Sequence, residues 1–280
     1  MNIKIDLARS AGFCFGVRRA IGLAFETAKR GKTVHMLGDI VHNEEVVKDI
    51  SNAGIKKIKT LKNGKNSILL IRAHGTPPEI PKKALSIGYQ IVDATCPMVK
   101  EIHRKVSEME KNGYRIIVIG DKKHDEVRGI VGQLKTKAIV IETKENIKNS
   151  RVNNIKKACI VVQSTQNLET VEEIVKLLKA GIKEVVFHNT ICNPTRTRQN
   201  EIKEMARKND CMVIIGSKKS ANTKRLFEIS KKLNKNSYWV TGAKGLRKVW
   251  FKGKKSAGIT AGASTPDSTT GSVIGKIRDF

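Results

Sequence analysis

The chain has 280 residues, an ordinary apolar content of 39% and only 4% aromatics. That length suits two or three small domains, and no apolar run is long enough to span a bilayer, which excludes a bundle of membrane helices. The formal charge of +28 favours anionic partners, but the lysines are scattered through segments such as 56–65 and 231–235 and no basic-aromatic platform accompanies them, so nucleic-acid binding is not expected.

In chain order the pattern alternates between helix-like and strand-like stretches. After Cys14, apolar residues at Val17, Ala20, Ile21, Ala24 and Ala28 trace one buried helix face. A short apolar strand is predicted over residues 33–37, and a second, in residues 67–79, ends in a polar turn with His74. After Cys96 the helix stripe is Val99, Ile102, Val106 and Met109, followed by a strand at 115–119. Residues 159–169 repeat the strand and turn, with Ser164 and Thr165 at the turn. After Cys192 the stripe is Ile202, Met205 and Ala206, then a strand at 212–215 and a last strand and turn in 256–268 with Ser264. Such alternation predicts an α/β fold with mostly parallel sheets. Boundaries before Cys96 and Cys192 predict three pseudo-repeated modules at 1–95, 96–190 and 191–280, with the two chain ends shared between modules.

The modules keep one register. Cys14, Cys96 and Cys192 are each followed 24 residues later by a glycine closing an apolar run: Gly38, Gly120 and Gly216. Each is followed 28 residues later by a polar residue: His42, His124 and Ser220. Ligands of α/β sheets bind where strands lead into helices, and all three cysteines stand at such turns. A helix N-terminus favours a thiolate there. Pro97 and Pro194 fit the first helical turn, where no backbone donor is needed.

Five cysteines without a CxxC pair point to metal ligands and buried thiols rather than disulfides. Spacings of 82 and 96 residues between the three repeated cysteines match no short zinc or ferredoxin motif. Structural zinc with a histidine as fourth ligand is one option; a 4Fe–4S cluster with three Cys ligands and one open iron is the other. His42, His74, His124, Ser220, Asn222 and Ser264 are too many for zinc ligation and suit a phosphate-binding pocket. Glu126, two residues past His124, is a candidate general acid if burial keeps it protonated, or else a glutamate complementing a helix start. His35, His103 and His188 read as satisfied structural residues, and Cys159 and Cys211, out of register, as small buried hydrophobes.

The motifs AGFCFGV, VHNEEVV (41–47), RAHGT (72–76), DATCP, KHDEVRG (123–129), ICNPTRTRQ, GSKKSANTKRL (216–226) and GASTPD (262–267) together resemble the 4-hydroxy-3-methylbut-2-enyl diphosphate reductase (LytB-type) family. The resemblance runs from Gly12 to Asp267. It implies three α/β modules in a cloverleaf around a central iron–sulfur cluster held by Cys14, Cys96 and Cys192. It implies a two-electron, two-proton reductive dehydroxylation of an allylic diphosphate, giving isopentenyl and dimethylallyl diphosphate at the end of the methylerythritol phosphate route. His42, His74, His124, Ser220, Asn222 and Ser264 match its diphosphate-binding positions and Glu126 its proton donor. In QST (163–165), Ser164 stands where the family has threonine, beside Thr165; in SAN, Ala221 stands where relatives often have serine, so one donor to the diphosphate is missing, worth about 1 kcal/mol. Flavodoxin or ferredoxin is the implied electron donor, and its acidity suits the basic charge. The N-terminal stretch lacks the pattern of a signal peptide, so a cytoplasmic location without membrane association is expected.

Overall fold

The computed structural model describes residues 3–148, 150 and 152–280. In chain order its regular elements are β1 Lys4–Leu7, α1 Phe15–Ala28, β2 Thr33–Leu37, α2 Glu44–Asn52, β3 Lys56–Ile58, β4 Ser67–Ile71, α3 Glu79–Ser86 and β5 Gln90–Asp93. There follow α4 Pro97–Lys111, β6 Arg115–Ile119, α5 Asp125–Val131, β7 Ile139–Ile141, β8 Lys157–Val162, α6 Leu168–Gly181 and β9 Glu184–Phe187. The last are α7 Asn193–Lys208, β10 Cys211–Ile215, α8 Ala221–Leu233, β11 Ser237–Val240, β12 Ser256–Ala261 and α9 Asp267–Arg278.

The strands form three separate four-stranded sheets, ordered β1-β12-β10-β11, β5-β4-β2-β3 and β9-β8-β6-β7, and every pairing is parallel. The three orders are the same pattern. One edge strand leads into the helix after a cysteine (β1, β5 or β9), and its neighbour (β12, β4 or β8) ends in the polar turn. The expected α/β class with three parallel sheets is therefore what the chain adopts. β1 pairs with β12, with Lys4 opposite Ser256, so the first strand completes the sheet of the C-terminal segment.

Two compact units contain these sheets. The first comprises Met1–Arg18, Val41–Asp49 and Asn193–Phe280 and holds the β1-β12-β10-β11 sheet. Its central strand β10 is fully buried on both faces. Val213, Ile215 and Ile259 pack against Val273 and Ile277 of α9, whereas Met212 and Ile214 meet Ile202, Met205 and Leu226 of α7 and α8. Two-sided burial is why these strands read as unbroken apolar runs instead of alternating ones.

The second unit, Arg19–Ile40 and Ile50–Cys192, holds the other two sheets. In the β9-β8-β6-β7 sheet, Ile117, Ile119 and Ile160 pack against Val171, Ile174 and Leu178 of α6. Its opposite face sets Ile116, Val118 and Val161 against Ile102 and Val106 of α4 and Val127 and Ile130 of α5. The predicted stripe of α4 is thus the buried one. β2 and β6 have the predicted bounds, and β10 begins one residue early, at Cys211. No helix among the described residues is long and apolar enough to cross a membrane.

Candidate active site

Each repeated cysteine is placed by the same hydrogen bond. The Cys14 backbone N–H donates to the Ala263 carbonyl at 3.1 Å, Cys96 to Ala73 at 2.9 Å and Cys192 to Ser164 at 3.1 Å. The three acceptors lie in the turns after β12, β4 and β8. Those turns carry Ser264, His74 and Thr165 as the next residue, so a cysteine and a polar turn side chain are held together three times over. Cys14 immediately precedes α1, Cys96 caps α4 with Pro97 in its first turn, and Cys192 immediately precedes α7. All three are half-buried. Cys159 and Cys211 lie instead inside β8 and β10, fully buried, and burial pushes both thiols up to about 11. They are the small core residues expected.

The repeated glycines mark where polar side chains cross the strand ends. A Cβ on Gly38 would stand 2.7 Å from Arg72 Nη1, one on Gly120 2.8 Å from Gln163 Cβ, and one on Gly216 2.6 Å from Thr223 Oγ1. A side chain at any of the three positions would displace these neighbours, and at Gly38 and Gly216 it would also be strained by φ values of +78° and +151°.

In the second unit, His124 is the N-cap of α5, and its Nδ1 accepts the Glu126 N–H at 3.1 Å. An accepting Nδ1 places the proton of a neutral imidazole on Nε2, which makes His124 a donor toward an anion. The His74 ring lies 5.4 Å from it, edge to face at 83°. Glu126 is 2% exposed. Its Oε1 accepts the Ser164 N–H at 2.6 Å and its Oε2 the Ser164 hydroxyl at 2.8 Å. Burial raises its pKa above the ordinary carboxyl value, and the two Ser164 hydrogen bonds oppose that rise without cancelling it. Glu126 thus stands in the first turn of α5 as a buried acid held at both oxygens, not as an exposed one. Thr165 stands aside from it: its Oγ1 accepts from Gln163 Nε2 at 3.0 Å, and Gln163 Oε1 accepts the Asp121 N–H at 2.8 Å. Gln163 thus braces the turn, a role signalled in the sequence only by its place in QST.

In the first unit, the Ser264 hydroxyl donates to the His42 carbonyl at 3.1 Å. Ser220 caps α8 by accepting the Thr223 N–H at 3.3 Å. Ala221 and Asn222 follow in its first turn, both buried. Asn222 Nδ2 and Thr223 Oγ1 are buried with no hydrogen-bond partner among the described residues. A buried donor left unsatisfied costs about 1–3 kcal/mol, so this turn stands ready for an acceptor.

Two further histidines pack within the fold, and one departs from expectation. His35 Nδ1 lies 3.2 Å from the Tyr89 hydroxyl. His103 packs where Gly75 has no side chain, and its buried Nε2 lacks a partner among the described residues; burial depresses its pKa to about 4, so it is neutral rather than satisfied.

Parallel sheets whose strand ends present cysteines at helix starts, paired histidines and a buried acid define a modular α/β protein with a candidate redox or metal-assisted site. The LytB protein family pattern matches residues 5–278, and the chain belongs to that family. It is 41% identical to the 4-hydroxy-3-methylbut-2-enyl diphosphate reductase of Aquifex aeolicus (strain VF5), over 99% of this chain and 97% of that one. It is 44% identical to the protein of the same name in Clostridioides difficile (strain 630), over 95% of each. A solved structure of this reductase, described as the terminal enzyme of the non-mevalonate pathway, matches with a TM-score of 0.73 at 41% identity, over 99% of this chain and all of that one. The diphosphate reductase structure from Plasmodium falciparum matches with a TM-score of 0.91 at 29% identity, over 98% of this chain and 88% of that one.

Proposed function

We propose that the chain is a 4-hydroxy-3-methylbut-2-enyl diphosphate reductase, converting that allylic diphosphate to isopentenyl and dimethylallyl diphosphate with two electrons and two protons, water leaving. The observation that carries this reading is Glu126, buried, raised in pKa and gripped by Ser164 beside the His74–His124 pair. Protonating a poor leaving group needs an acid whose ionised form is disfavoured, and burial disfavours it at Glu126. The names of the relatives support the substrate. The division into modules at 1–95, 96–190 and 191–280 belongs to the same reading, supported by the repeated strand order.

The donor set fits an iron–sulfur cluster. Cys14, Cys96 and Cys192 lie half-buried at the starts of helices, while the other two cysteines are buried inside strands, where burial raises their pKa values. These three would hold a 4Fe–4S cluster, which supplies electron transfer and one open iron able to act as a Lewis acid. Asn222 Nδ2, the Ser220 and Ser264 hydroxyls, His42, His74 and the Nε2–H of His124 bind the diphosphate oxygens. Glu126 delivers a proton to the departing hydroxyl, and Ser164 holds its carboxyl in place for the transfer.

Anaerobically purified protein should be brown and contain about four irons and four sulfides per chain. It should consume the allylic diphosphate only when electrons are supplied. Colourless protein carrying zinc would overturn the assignment, and conversion without a reductant would make the protein a dehydratase instead.

Electron supply is assigned to an acidic carrier, flavodoxin or ferredoxin, because the formal charge of +28 steers an anionic protein. Turnover with such a donor should slow as ionic strength rises through the range where the Debye length shrinks below about 10 Å. Turnover with a small neutral reductant should stay nearly constant. An equal salt response for both donors would remove the electrostatic argument.

A further inference from the structure

Arg72 and Asp125 form an ion pair that none of the assigned roles uses. Arg72 follows β4 and stands two residues before His74; Asp125 opens α5 between His124 and Glu126. Arg72 Nη1 donates to Asp125 Oδ2 at 2.6 Å, with side chains only 17% and 21% exposed. The guanidinium reaches Asp125 by passing over Gly38, where φ is +78° and a Cβ would stand 2.7 Å from Nη1. One charged contact therefore ties the strand end that carries His74 to the helix start that carries His124 and Glu126, across two different sheets of the same unit.

The far end of α5 is fastened separately. Gln133 Nε2 donates to the Thr76 carbonyl at 3.1 Å and to the Gly129 carbonyl at 2.8 Å. Gly132 packs so closely on Pro77 that a Cβ would stand 2.5 Å from the proline Cβ. Val127 and Ile130 anchor the apolar face. Without the Arg72–Asp125 contact, α5 remains docked at its C-terminal end and along its core face. Only its first turn, with His124 and Glu126, loses a tether. The pair thus acts on the position of that turn more than on the stability of the fold.

We propose that Arg72 and Asp125 are positioning residues that hold the His124–Glu126 turn in register with His74. The proposal rests on the reading of Glu126 as proton donor and of the two histidines as diphosphate ligands. Misplacing a reacting group by about 1 Å costs up to the order of a hundredfold in rate, so a loosened turn should show chiefly in kcat. Arg72→Gln and Asp125→Asn keep polar side chains of similar size and remove one charge each.

The test uses the cluster-loaded enzyme and three variants: Arg72→Gln, Asp125→Asn and the two combined. Each single variant should lose about tenfold in kcat, with a smaller change in KM, while iron content and melting temperature stay near those of the parent. Affinity for inorganic diphosphate, measured by calorimetry, should weaken by about two- to fivefold, because His74 and His124 no longer hold a fixed spacing. Because the two residues act as one contact, the double variant should be no slower than the slower single variant. Single variants with kcat within about twofold of the parent, or losses that multiply in the double variant, would overturn the pair as a positioning device. Weakened single variants beside a fully active Glu126→Gln enzyme would overturn the role of Glu126 and leave the pair standing.

Discussion

Glu126→Gln is expected to retain cluster and substrate binding while losing at least about a hundredfold in turnover, the usual scale for a missing general acid. The substitution fits the site as built. The glutamine carbonyl oxygen accepts the Ser164 N–H, and its amide donates to the Ser164 hydroxyl, replacing both present contacts. What it lacks is a transferable proton. The carboxyl also sets a pH dependence. Its pKa in the folded chain lies above the ordinary 4.5, because burial disfavours the ionised form. Stability from this group is therefore fully present below the ordinary value and is lost as pH rises through the folded one. The Gln variant has no such loss. Its melting temperature relative to the parent should rise as pH climbs above the ordinary carboxyl value of 4.5, while kcat of the parent should fall on the alkaline side. Near-parental turnover of the iron-loaded Gln variant would reduce Glu126 to a structural acid.

Cysteine substitutions should split into two groups of opposite outcome. Ser at position 14, 96 or 192 should abolish visible absorption, bound iron and turnover together, since a hydroxyl is a poor substitute for a thiolate ligand. Ser at position 159 or 211 should leave iron content largely intact and cost only stability. Cys159 is buried in β8 among Ile116 and Val161, so its hydroxyl would cost about 1–3 kcal/mol. Cys211 is milder, because its sulfur already lies 3.7 Å from the Ser256 carbonyl, an acceptor for a hydroxyl. Melting curves and iron analysis of the five variants check both halves. Loss of iron from Cys159→Ser with retention in Cys14→Ser would reverse the ligand assignment.

Much of the fold was legible because its signals are local. The apolar runs of β6 and β10 depend on two-sided strand burial, the alternation of β2 on one buried face, and the stripe of α4 on helical periodicity, all of which act over a few residues. The repeat of cysteine, glycine and polar residue was legible because three sheets of one strand order must solve the same steric problem at the same place. That the chain ends are shared between modules was legible, but the particular pairing of β1 with β12 was not, since it joins residues 4 and 256 and no local pattern encodes so distant a pairing.

The sequence by itself determined the kinds of groups available and their order: three cysteines at helix starts, histidines and serines at strand ends, and a glutamate two residues past His124. That Glu126 is a buried acid rather than an exposed one was decided only by tertiary structure, because desolvation comes from residues far apart in the chain and its grip comes from Ser164, 38 residues away. The same holds for Asn222, whose Nδ2 has no partner among the described residues, and for the Arg72–Asp125 contact, which passes over Gly38 where a Cβ would crowd the guanidinium. Local periodicity is written in neighbouring residues; charge, burial and hydrogen bonding at the site are set by neighbours in space, which only the folded chain supplies.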